Sequence, residues 1–320
     1  MPTPFETPVA VTGATGFVGR HVVRALTAAG RPVRALARDL EKANETLPVS
    51  DLVTIVEGDL FNPGSLEELA SGCGAFVHLV GIRREHRPTV TFDRLHVEAT
   101  RRALAAAAAA GATRYLHMSA LGARPAARSA YHQTKYTAET LVRDSALDWT
   151  IFRPSLVIGA DGEFLEMARG WASGTENPRL FMPYFEPPRP HAKERLPAGV
   201  VEKPRVQPVD VDDVAGAFVR ALENDDAVGE AYPLGGPRMY EWPELLEAIA
   251  KEVPGHTKPA WGVPAEVGQA VACAAQVARL DHVLPFSMSD VQMACEDNVC
   301  CTSKVEQELG LTAREVSFAG

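Results

Sequence analysis

Three glycines at regular spacing near the start of the chain constrain its fold more than any other feature. Gly13, Gly16 and Gly19 lie in the stretch VAVTGATGFVG, between a short apolar run and the amphipathic segment GRHVVRALTAAG. A glycine inside regular structure lowers stability, so a cluster of three requires a local reason. A tight turn from a strand into a helix supplies one, because it needs a residue without a Cβ.

The other two glycines have reasons of the same kind. A backbone that approaches a pyrophosphate closely needs a second glycine, and close packing of the helix on the strand needs a third. The N-terminus of the helix then presents free N–H groups and a partial positive charge to the phosphates. The stretch therefore predicts a strand–turn–helix unit that binds a dinucleotide.

Short β-type runs alternate with longer helical patterns over the first half of the chain. The strand candidates are PVAVTG, PVRALAR, LVTIVEGD, AFVHLVG, RYLHMSA and WTIFRPS. Several helical segments between them end at glycine, and this alternation is typical of βαβ units in a parallel sheet. We predict an α/β fold with a doubly wound parallel sheet (a Rossmann fold) and a smaller, interleaved C-terminal substrate region.

The alternation breaks after Ser155, which suggests a domain boundary. We assign residues 1–156 to the dinucleotide-binding domain and expect the strand and helix near 206–236 to rejoin it. Residues 157–205 and 237–320 are assigned to the smaller substrate or partner region. Residues 177–206 are rich in proline and lack a clear period, which predicts a long surface excursion that acts as a lid or binds a protein partner.

Charge and composition restrict the partners. The formal net charge of −9 argues against a nucleic-acid partner, because phosphate recognition needs a basic face. The start MPTPFETPVA lacks the basic and apolar regions of a secretory signal, and no apolar stretch is long enough to span a bilayer, so we expect a cytoplasmic protein. The five cysteines have no repeated spacing, which favours reduced thiols over a disulfide framework and predicts no metal site.

The glycine spacing G-x-x-G-x-x-G resembles the short-chain dehydrogenase/reductase superfamily, in its extended and atypical branches. That family carries a Y-x-x-x-K motif on the helix after the fifth strand, and a serine at the end of that strand. Here SAYHQTKYTAE contains Tyr131 and Lys135 at this spacing, and Ser119 in HMSALGA ends the fifth predicted strand. The resemblance implies a catalytic set of Ser119, Tyr131 and Lys135.

The spacing of the tyrosine and the lysine suits proton transfer. Residues four apart lie on one face of a helix, so the ammonium of Lys135 can lie beside the hydroxyl of Tyr131. A nearby positive charge favours the phenolate and lowers a phenol pKa that starts near about 10. Tyr131 can then exchange a proton with a substrate while hydride moves to or from nicotinamide. Ser119 would hold the substrate oxygen, and Lys135 is also implied to bind the nicotinamide ribose.

Further segments narrow the resemblance. SALGA, SAYHQTKYTAE, IFRPSLVIG, QPVDVDDVA and PLGGPRMYEWPELLEAIA resemble bacterial relatives of the NADPH-binding accessory subunit of respiratory complex I. Two functions follow: an NADP(H)-dependent oxidoreductase or epimerase-like enzyme, and a non-catalytic NADPH-binding protein with a structural or assembly role. One position departs from the family, because His96 stands where extended members often carry asparagine.

The choice of dinucleotide depends on the end of the second strand. Extended members that prefer NAD carry an acid there, which binds the ribose 2′-OH, whereas this chain has Ala37 followed by Arg38. An arginine can pair with a 2′-phosphate, so we predict NADP(H) in preference to NAD(H). Asp39 has two interpretations, an acid for the ribose or a helix cap. Asp59 also has two, an adenine contact or a cap or turn. The predicted cofactor-binding residues are Gly13, Thr15, Gly16, Phe17, Val18, Gly19, Arg38, Asp59, Leu60, Val80, Lys135 and Pro154.

Overall fold

A parallel sheet of seven strands forms the centre of the protein, whose computed structural model describes residues 7–188, 203–255, 258–278 and 284–319. The strands are β1 (Val9–Thr12), β2 (Val33–Ala37), β3 (Val53–Glu57), β4 (Ala75–His78), β5 (Arg114–Met118), β6 (Asp148–Pro154) and, after four short strands given below, β11 (Glu230–Leu234). Their order across the sheet is β3-β2-β1-β4-β5-β6-β11. The order reverses at β1, so β1 and β4 flank the topological switch point where doubly wound sheets bind their ligands.

Helices cover both faces of the sheet. The helices are α1 (Phe17–Ala28), α2 (Leu40–Thr46), α3 (Pro63–Ala70), α4 (Ala99–Ala109), α5 (Ala130–Arg143), α6 (Glu163–Ser173), α7 (Val211–Leu222), α8 (Trp242–Lys251), α9 (Ala265–Val277), α10 (Met288–Ala294) and α11 (Ser303–Leu309). One apolar core joins the sheet to α1 and α7, and a second joins it to α3 and α4. The predicted fold class is confirmed.

Burial on both faces explains why the strands are apolar throughout. All four residues of β1 are buried, as expected for a parallel strand with helices above and below it. The alanine-rich helix α4 buries Ala103, Ala106 and Ala107, because small side chains allow a helix to lie close to a sheet. Val305 and Leu309 of α11 pack into the first core, although their segment lies in the predicted second region.

The smaller region has its own core and three short two-stranded sheets. Its strands are β7 (Val157–Ile158), β8 (Met182–Glu186), β9 (Arg205–Val206), β10 (Val209–Asp210), β12 (Tyr240–Glu241) and β13 (Ala260–Pro264). They pair as β7 with β10, β9 with β12 and β8 with β13. Ile158, Leu165 and Leu245 are among the residues of the core that joins α6 to α8.

The predicted surface excursion over 177–206 contains regular structure in its described part, which its lack of a sequence period did not indicate. Met182–Glu186 forms β8, which pairs in parallel with β13 far along the chain. β13 supplies the backbone hydrogen bonds of β8 from a distant part of the chain. The proline-rich sequence of the segment has no periodic pattern from which this strand could be predicted. Residues 189–202 of the predicted excursion lie outside the described residues. Within the part of the chain that the structure describes, no helix is long and apolar enough to cross a membrane.

Candidate functional site

The glycine turn connects β1 to α1 at the switch point of the sheet. Gly13 has a φ of +74°, a conformation that residues with a Cβ rarely adopt. A Cβ on Gly19 would lie 2.0 Å from the carbonyl oxygen of Gly13, so α1 can pack on the turn only because that Cβ is missing. Gly16 is the N-cap of α1, where no side chain caps the helix and no acid lies in the first turn. The positive end of the helix is therefore open to an anion.

A short segment after β4 joins the glycine turn to helix α5. A Cβ on Gly13 would lie 3.1 Å from the carbonyl carbon of Leu79 and 3.2 Å from the nitrogen of Val80. The next residue is Gly81, where a Cβ would lie 2.9 Å from Nζ of Lys135. The two predicted parts of the site therefore meet at one edge of the sheet. Gly81 was missed by the sequence prediction, although a glycine directly after the fourth strand was a signal for it.

Helix α5 carries Tyr131, Lys135 and Glu139 at intervals of four residues, and it begins at the N-cap Ser129. The Nζ of Lys135 donates a hydrogen bond of 3.0 Å to the carbonyl oxygen of Met118. Lys135 is only 4% exposed. Burial lowers the pKa of Lys135 to about 8, although the nearby Glu139 carboxylate raises it. The ammonium of Lys135 therefore releases its proton closer to neutral pH than an ordinary lysine does.

Glu139 is a fully buried carboxylate that sequence reasoning missed. Its two oxygens accept hydrogen bonds of 2.8 and 2.5 Å from the guanidinium of Arg153, and Arg143 lies 2.8 Å away. Burial raises the pKa of Glu139, but the hydrogen bonds from Arg153, together with the neighbouring Ser119 and Arg143, lower it below its usual range. The carboxylate is thus ionised one helical turn below Lys135.

Ser119 directly follows β5 and is 1% exposed. Its backbone nitrogen donates a hydrogen bond of 2.7 Å to the carbonyl oxygen of Phe152, which fixes the end of β5 against β6. The side chain of Ser119 adjoins Glu139. The described residues therefore include all three members of the predicted catalytic set, but Ser119 is buried. Its contact with a substrate stays a prediction.

The ring of Tyr131 is half-buried among aromatic side chains. It meets the rings of His96 and Phe92 edge-on, with centroids 5.3 and 5.8 Å away. Burial raises the pKa of Tyr131 to about 12, while Arg83 lowers it and Asp290 raises it. The direction is opposite to the predicted one, because desolvation of the phenolate outweighs the positive charge of Arg83. Tyr131 is therefore a neutral phenol.

His96 lies in a π-helical turn (Asp93–Glu98) that leads into α4. Its Nδ1 lies 2.8 Å from Oγ1 of Thr134, and its Nε2 lies 3.2 Å from the nitrogen and 3.1 Å from the oxygen of Ile82. Burial, and then the charge of Lys135, hold the pKa of His96 well below its usual range. His96, which stands where extended members often carry asparagine, is therefore a neutral imidazole. It connects the segment after β4 to α5.

At the end of β2, Arg38 is exposed. Across the described ranges, no hydrogen bond or ion pair involves its guanidinium. The neighbouring Asp39 accepts a hydrogen bond of 3.0 Å from the backbone nitrogen of Lys42 and is the N-cap of α2. Of the two interpretations of Asp39, the helix cap is the one observed. Arg38 is therefore the charged side chain available where the second strand ends.

The remaining predicted cofactor residues line the same edge in different ways. The carboxylate of Asp59 accepts a hydrogen bond of 2.7 Å from the nitrogen of Phe61, so it forms a loop turn. The ring of Phe17 is covered by the 159–162 segment, since a Cβ on Gly162 would lie 2.8 Å from it. The others are partly or fully buried: Thr15, Val18, Leu60, Val80 and Pro154. Their contacts with a cofactor stay predictions.

The cysteines take no part in this arrangement. All five are free thiols. In the described ranges, no group of histidine, cysteine and acidic side chains is arranged to hold a metal ion. The candidate site consists of the glycine turn, the segment after β4 and the N-terminal half of α5.

Comparison with known proteins finds families and relatives that are similar to this chain. A family described as NAD(P)H-binding matches residues 13–166, and one described as male sterility protein matches residues 120–215. The chain is 38% identical to the ceramide reductase of Caulobacter vibrioides over 168 residues, which are 50% of this chain and 49% of that protein. The chain thus spans about half the length of this relative.

Two longer matches extend the comparison. The chain is 29% identical to subunit 9 of the mitochondrial NADH dehydrogenase (ubiquinone) 1 alpha subcomplex of Arabidopsis thaliana, covering 90% of this chain and 68% of the relative. It is 32% identical to the (4-alkanoyl-5-oxo-2,5-dihydrofuran-3-yl)methyl phosphate reductase of Streptomyces griseus, covering 72% of this chain and 68% of the relative. The predicted resemblance to the complex I accessory subunit is confirmed.

Among solved structures, a nucleoside-diphosphate-sugar epimerase from Staphylococcus aureus superposes with a TM-score of 0.71 at 18% identity. The superposition covers 97% of each chain. At this identity the likeness supports the fold alone.

Proposed function

Because the chain belongs to the short-chain dehydrogenase/reductase superfamily, in its extended, epimerase-like branch, we propose that it is an NADP(H)-dependent oxidoreductase acting on a carbonyl or hydroxyl substrate. The observation that carries this proposal is the segment Leu79–Gly81. A Cβ on Gly13 would lie 3.1 Å from the carbonyl carbon of Leu79, and a Cβ on Gly81 would lie 2.9 Å from Nζ of Lys135, so the segment lies between the glycine turn and the lysine. A dinucleotide bound along this edge extends from the phosphate turn to the catalytic helix.

The residues of the edge fit such a cofactor. The turn has no side chain at Gly13, Gly16 or Gly19 to obstruct a pyrophosphate, and the uncapped start of α1 offers backbone N–H groups. The missing side chain of Gly81 leaves room for the ammonium of Lys135, which would bind the nicotinamide ribose. When bound, the cofactor supplies or accepts the hydride.

The proton of the reaction is assigned to Tyr131. Its raised pKa of about 12 keeps the phenol neutral, so the residue is ready to donate a proton to a carbonyl oxygen that receives hydride. Lys135, with a pKa of about 8, is suited to returning a proton to the phenolate. Ser119 would hold the substrate oxygen. These states favour reduction, and two of the relatives are named as reductases.

The preference for NADP(H) rests on Arg38. Its guanidinium is exposed beside the predicted ribose position, and Ala37 stands where an acid would repel a 2′-phosphate. A hydrogen bond between charged groups contributes about 1.5–3 kcal/mol. We therefore expect Arg38→Ala to weaken NADPH binding by about tenfold or more and to leave NADH binding nearly unchanged. Calorimetric titration of both cofactors measures the two affinities.

A matched control is Arg101→Ala, which removes an exposed arginine from α4. This variant should bind both cofactors as the wild type does. Equal losses for NADPH and NADH in Arg38→Ala would contradict the assignment of the 2′-phosphate contact.

A second candidate function is a non-catalytic NADPH-binding protein with a structural or assembly role. The match to the Arabidopsis complex I subunit extends over 90% of this chain, farther than the matches to the two reductases. In that case the 177–206 segment, which contains β8, is the candidate surface for a protein partner. The same glycine turn and Arg38 would bind the nucleotide in both cases.

One experiment separates the two functions. The purified protein is denatured, any released nucleotide is identified, and the native protein is then mixed with NADPH and a panel of ketones and aldehydes. Loss of NADPH absorbance with formation of an alcohol supports the oxidoreductase. Firm NADPH binding without turnover of any panel member would favour the structural role instead.

A further inference from the structure

Two consecutive arginines follow the segment that joins the two halves of the site. Nε2 of His96 lies 3.2 Å from the backbone nitrogen and 3.1 Å from the backbone oxygen of Ile82 and bonds one of them, according to its tautomer. The ring of His96 meets the ring of Tyr131 edge-on. The next two residues after Ile82 are Arg83 and Arg84. Arg83 and Arg84 therefore directly follow a residue whose backbone lies beside the His96 ring that contacts Tyr131.

These two arginines share one buried carboxylate. Asp290 of α10 accepts a hydrogen bond of 3.3 Å from Nη1 of Arg83 and one of 3.1 Å from Nε of Arg84. Its side chain is only 12% exposed. Ser287 donates to the same carboxylate from its backbone nitrogen and its hydroxyl, each at 2.8 Å. Asp290 thus already has four donors and balances only one of the two positive charges.

Glu163, the second acid near Arg83, neutralises little of the charge of Arg83. Oε2 of Glu163 lies 3.8 Å from Nη2 of Arg83, and the Glu163 side chain is 87% exposed. Water screens such an exposed pair, and its contribution is small. Among the described residues, no other acid forms an ion pair with Arg83 or Arg84. Arg84 has a further partner, since its Nη1 donates a hydrogen bond to the carbonyl oxygen of Leu284.

The charge of Arg83 is therefore only partly balanced by its two acidic partners. Its side chain is 39% exposed, and a guanidinium has five N–H donors in a planar fork that suits carboxylate and phosphate oxygens. Its charge acts on the phenol of Tyr131, which puts it within electrostatic range of the proton donor. Arg83 also directly follows Ile82, and the His96 ring that lies beside Ile82 meets Tyr131 edge-on, so an anion held by Arg83 would lie in the neighbourhood of Tyr131.

We propose that Arg83 is a specificity-determining residue that binds an anionic group, a phosphate or a carboxylate, carried by the substrate close to its carbonyl. This inference rests on the proposed function, since it assumes that Tyr131 faces the substrate. Asp290 and the backbone of Ile82 hold the guanidinium in position. Neutral carbonyl compounds would lack this contact and react more slowly.

A binding measurement tests the anion site without requiring turnover. Levulinate and dihydroxyacetone phosphate are titrated by calorimetry into wild type, Arg83→Gln and Arg83→Lys, with and without NADPH, at constant ionic strength. We expect at least one of the two anions to bind the wild type. Arg83→Gln should bind it about 10- to 100-fold more weakly, and Arg83→Lys should recover part of the loss. Equal binding by wild type and Arg83→Gln, or no binding of either anion to the wild type, would overturn the proposal.

A turnover measurement separates this inference from the proposed function. NADPH oxidation is followed with levulinate and its methyl ester, and with dihydroxyacetone phosphate and dihydroxyacetone. The anionic member of a pair should have the higher kcat/KM, and Arg83→Gln should remove this difference. The control is Arg87→Gln, an exposed arginine paired with Glu85 in the same segment. Arg83-dependent anion binding without any NADPH oxidation would support the anion site and contradict the oxidoreductase function. Turnover without a preference for the anionic substrate would contradict the anion site alone.

Discussion

Tyr131→Phe should lower the rate of NADPH-dependent reduction by about 10²- to 10⁴-fold, the usual contribution of a positioned general acid. The phenyl ring keeps the edge-on contacts with His96 and Phe92, so the fold and the shape of the site should persist. NADPH affinity should stay within about threefold of the wild type, because only a hydroxyl is removed. The measurement pairs cofactor titration with the rate of hydride transfer on one substrate.

Tyr136→Phe is the matched control. It removes a hydroxyl from the same helix, one residue after Lys135, and should leave the rate unchanged. Equal rates in wild type and Tyr131→Phe would remove Tyr131 from the mechanism. A similar loss in Tyr136→Phe would show that the helix, and not the proton donor, is being disturbed.

Lys135→Met extends the same test to stability. This variant should also lose turnover and bind NADPH more weakly. Without cofactor, however, its free energy of unfolding should exceed that of the wild type by about 1–3 kcal/mol, because a buried ammonium is removed. The pKa of Lys135 is about 8 in the folded protein, against an ordinary value of 10.5. Folded wild type thus releases the proton at a lower pH than the unfolded chain does, and its own stability rises between these values. The advantage of Lys135→Met should be full below pH 8 and fade as the pH rises towards 10.5.

Gly19→Ala should destabilise the protein by about 3 kcal/mol or more. The new Cβ would lie 2.0 Å from the carbonyl oxygen of Gly13 and 2.8 Å from that of Ala14. Both are backbone atoms, so neither can rotate away, and the turn or the helix must shift. The same shift would spoil the phosphate contacts, and NADPH binding should fall with stability. Urea denaturation and cofactor titration measure the two effects.

Gly216→Ala provides the control for this change. Gly216 also lies inside a helix, α7, but a Cβ there meets only Cδ1 of Leu311 at 3.6 Å, an ordinary contact. Alanine favours a helix over glycine by up to about 1 kcal/mol, so this variant should be slightly more stable than the wild type. A Gly19→Ala protein as stable as Gly216→Ala would contradict the role given to the third glycine.

The local features of the site follow from the amino-acid sequence. The glycine turn, the alternation of strands and helices, and the Tyr131–Lys135 pair each depend on residues close together in the chain. Strand and helix periodicities and the spacing of four residues translate directly into faces and turns. Family resemblance added the roles of these residues, and the comparisons confirm the family.

The environment of the same residues does not follow from local sequence. The pKa of Tyr131 moves upward instead of downward because His96 and Phe92 bury its ring, and these residues come from the turn before α4. Lys135 is directed to the carbonyl of Met118, and Glu139 is held by Arg153 of β6. Each of these contacts joins elements that the crossovers of the fold bring together.

Short-range pattern in the sequence is enough to specify the doubly wound sheet, the phosphate turn and the helix that carries the tyrosine and the lysine. Long-range packing brings Gly81 beside Lys135 and pairs β8 with β13. It also places Asp290 against both Arg83 and Arg84, although more than 200 residues of chain separate the acid from the two arginines. Such contacts follow from how the helices and strands pack, and desolvation and charge pairing depend on that packing. A residue's neighbours along the chain specify its backbone, whereas its neighbours in space set its pKa, its exposure and its partners.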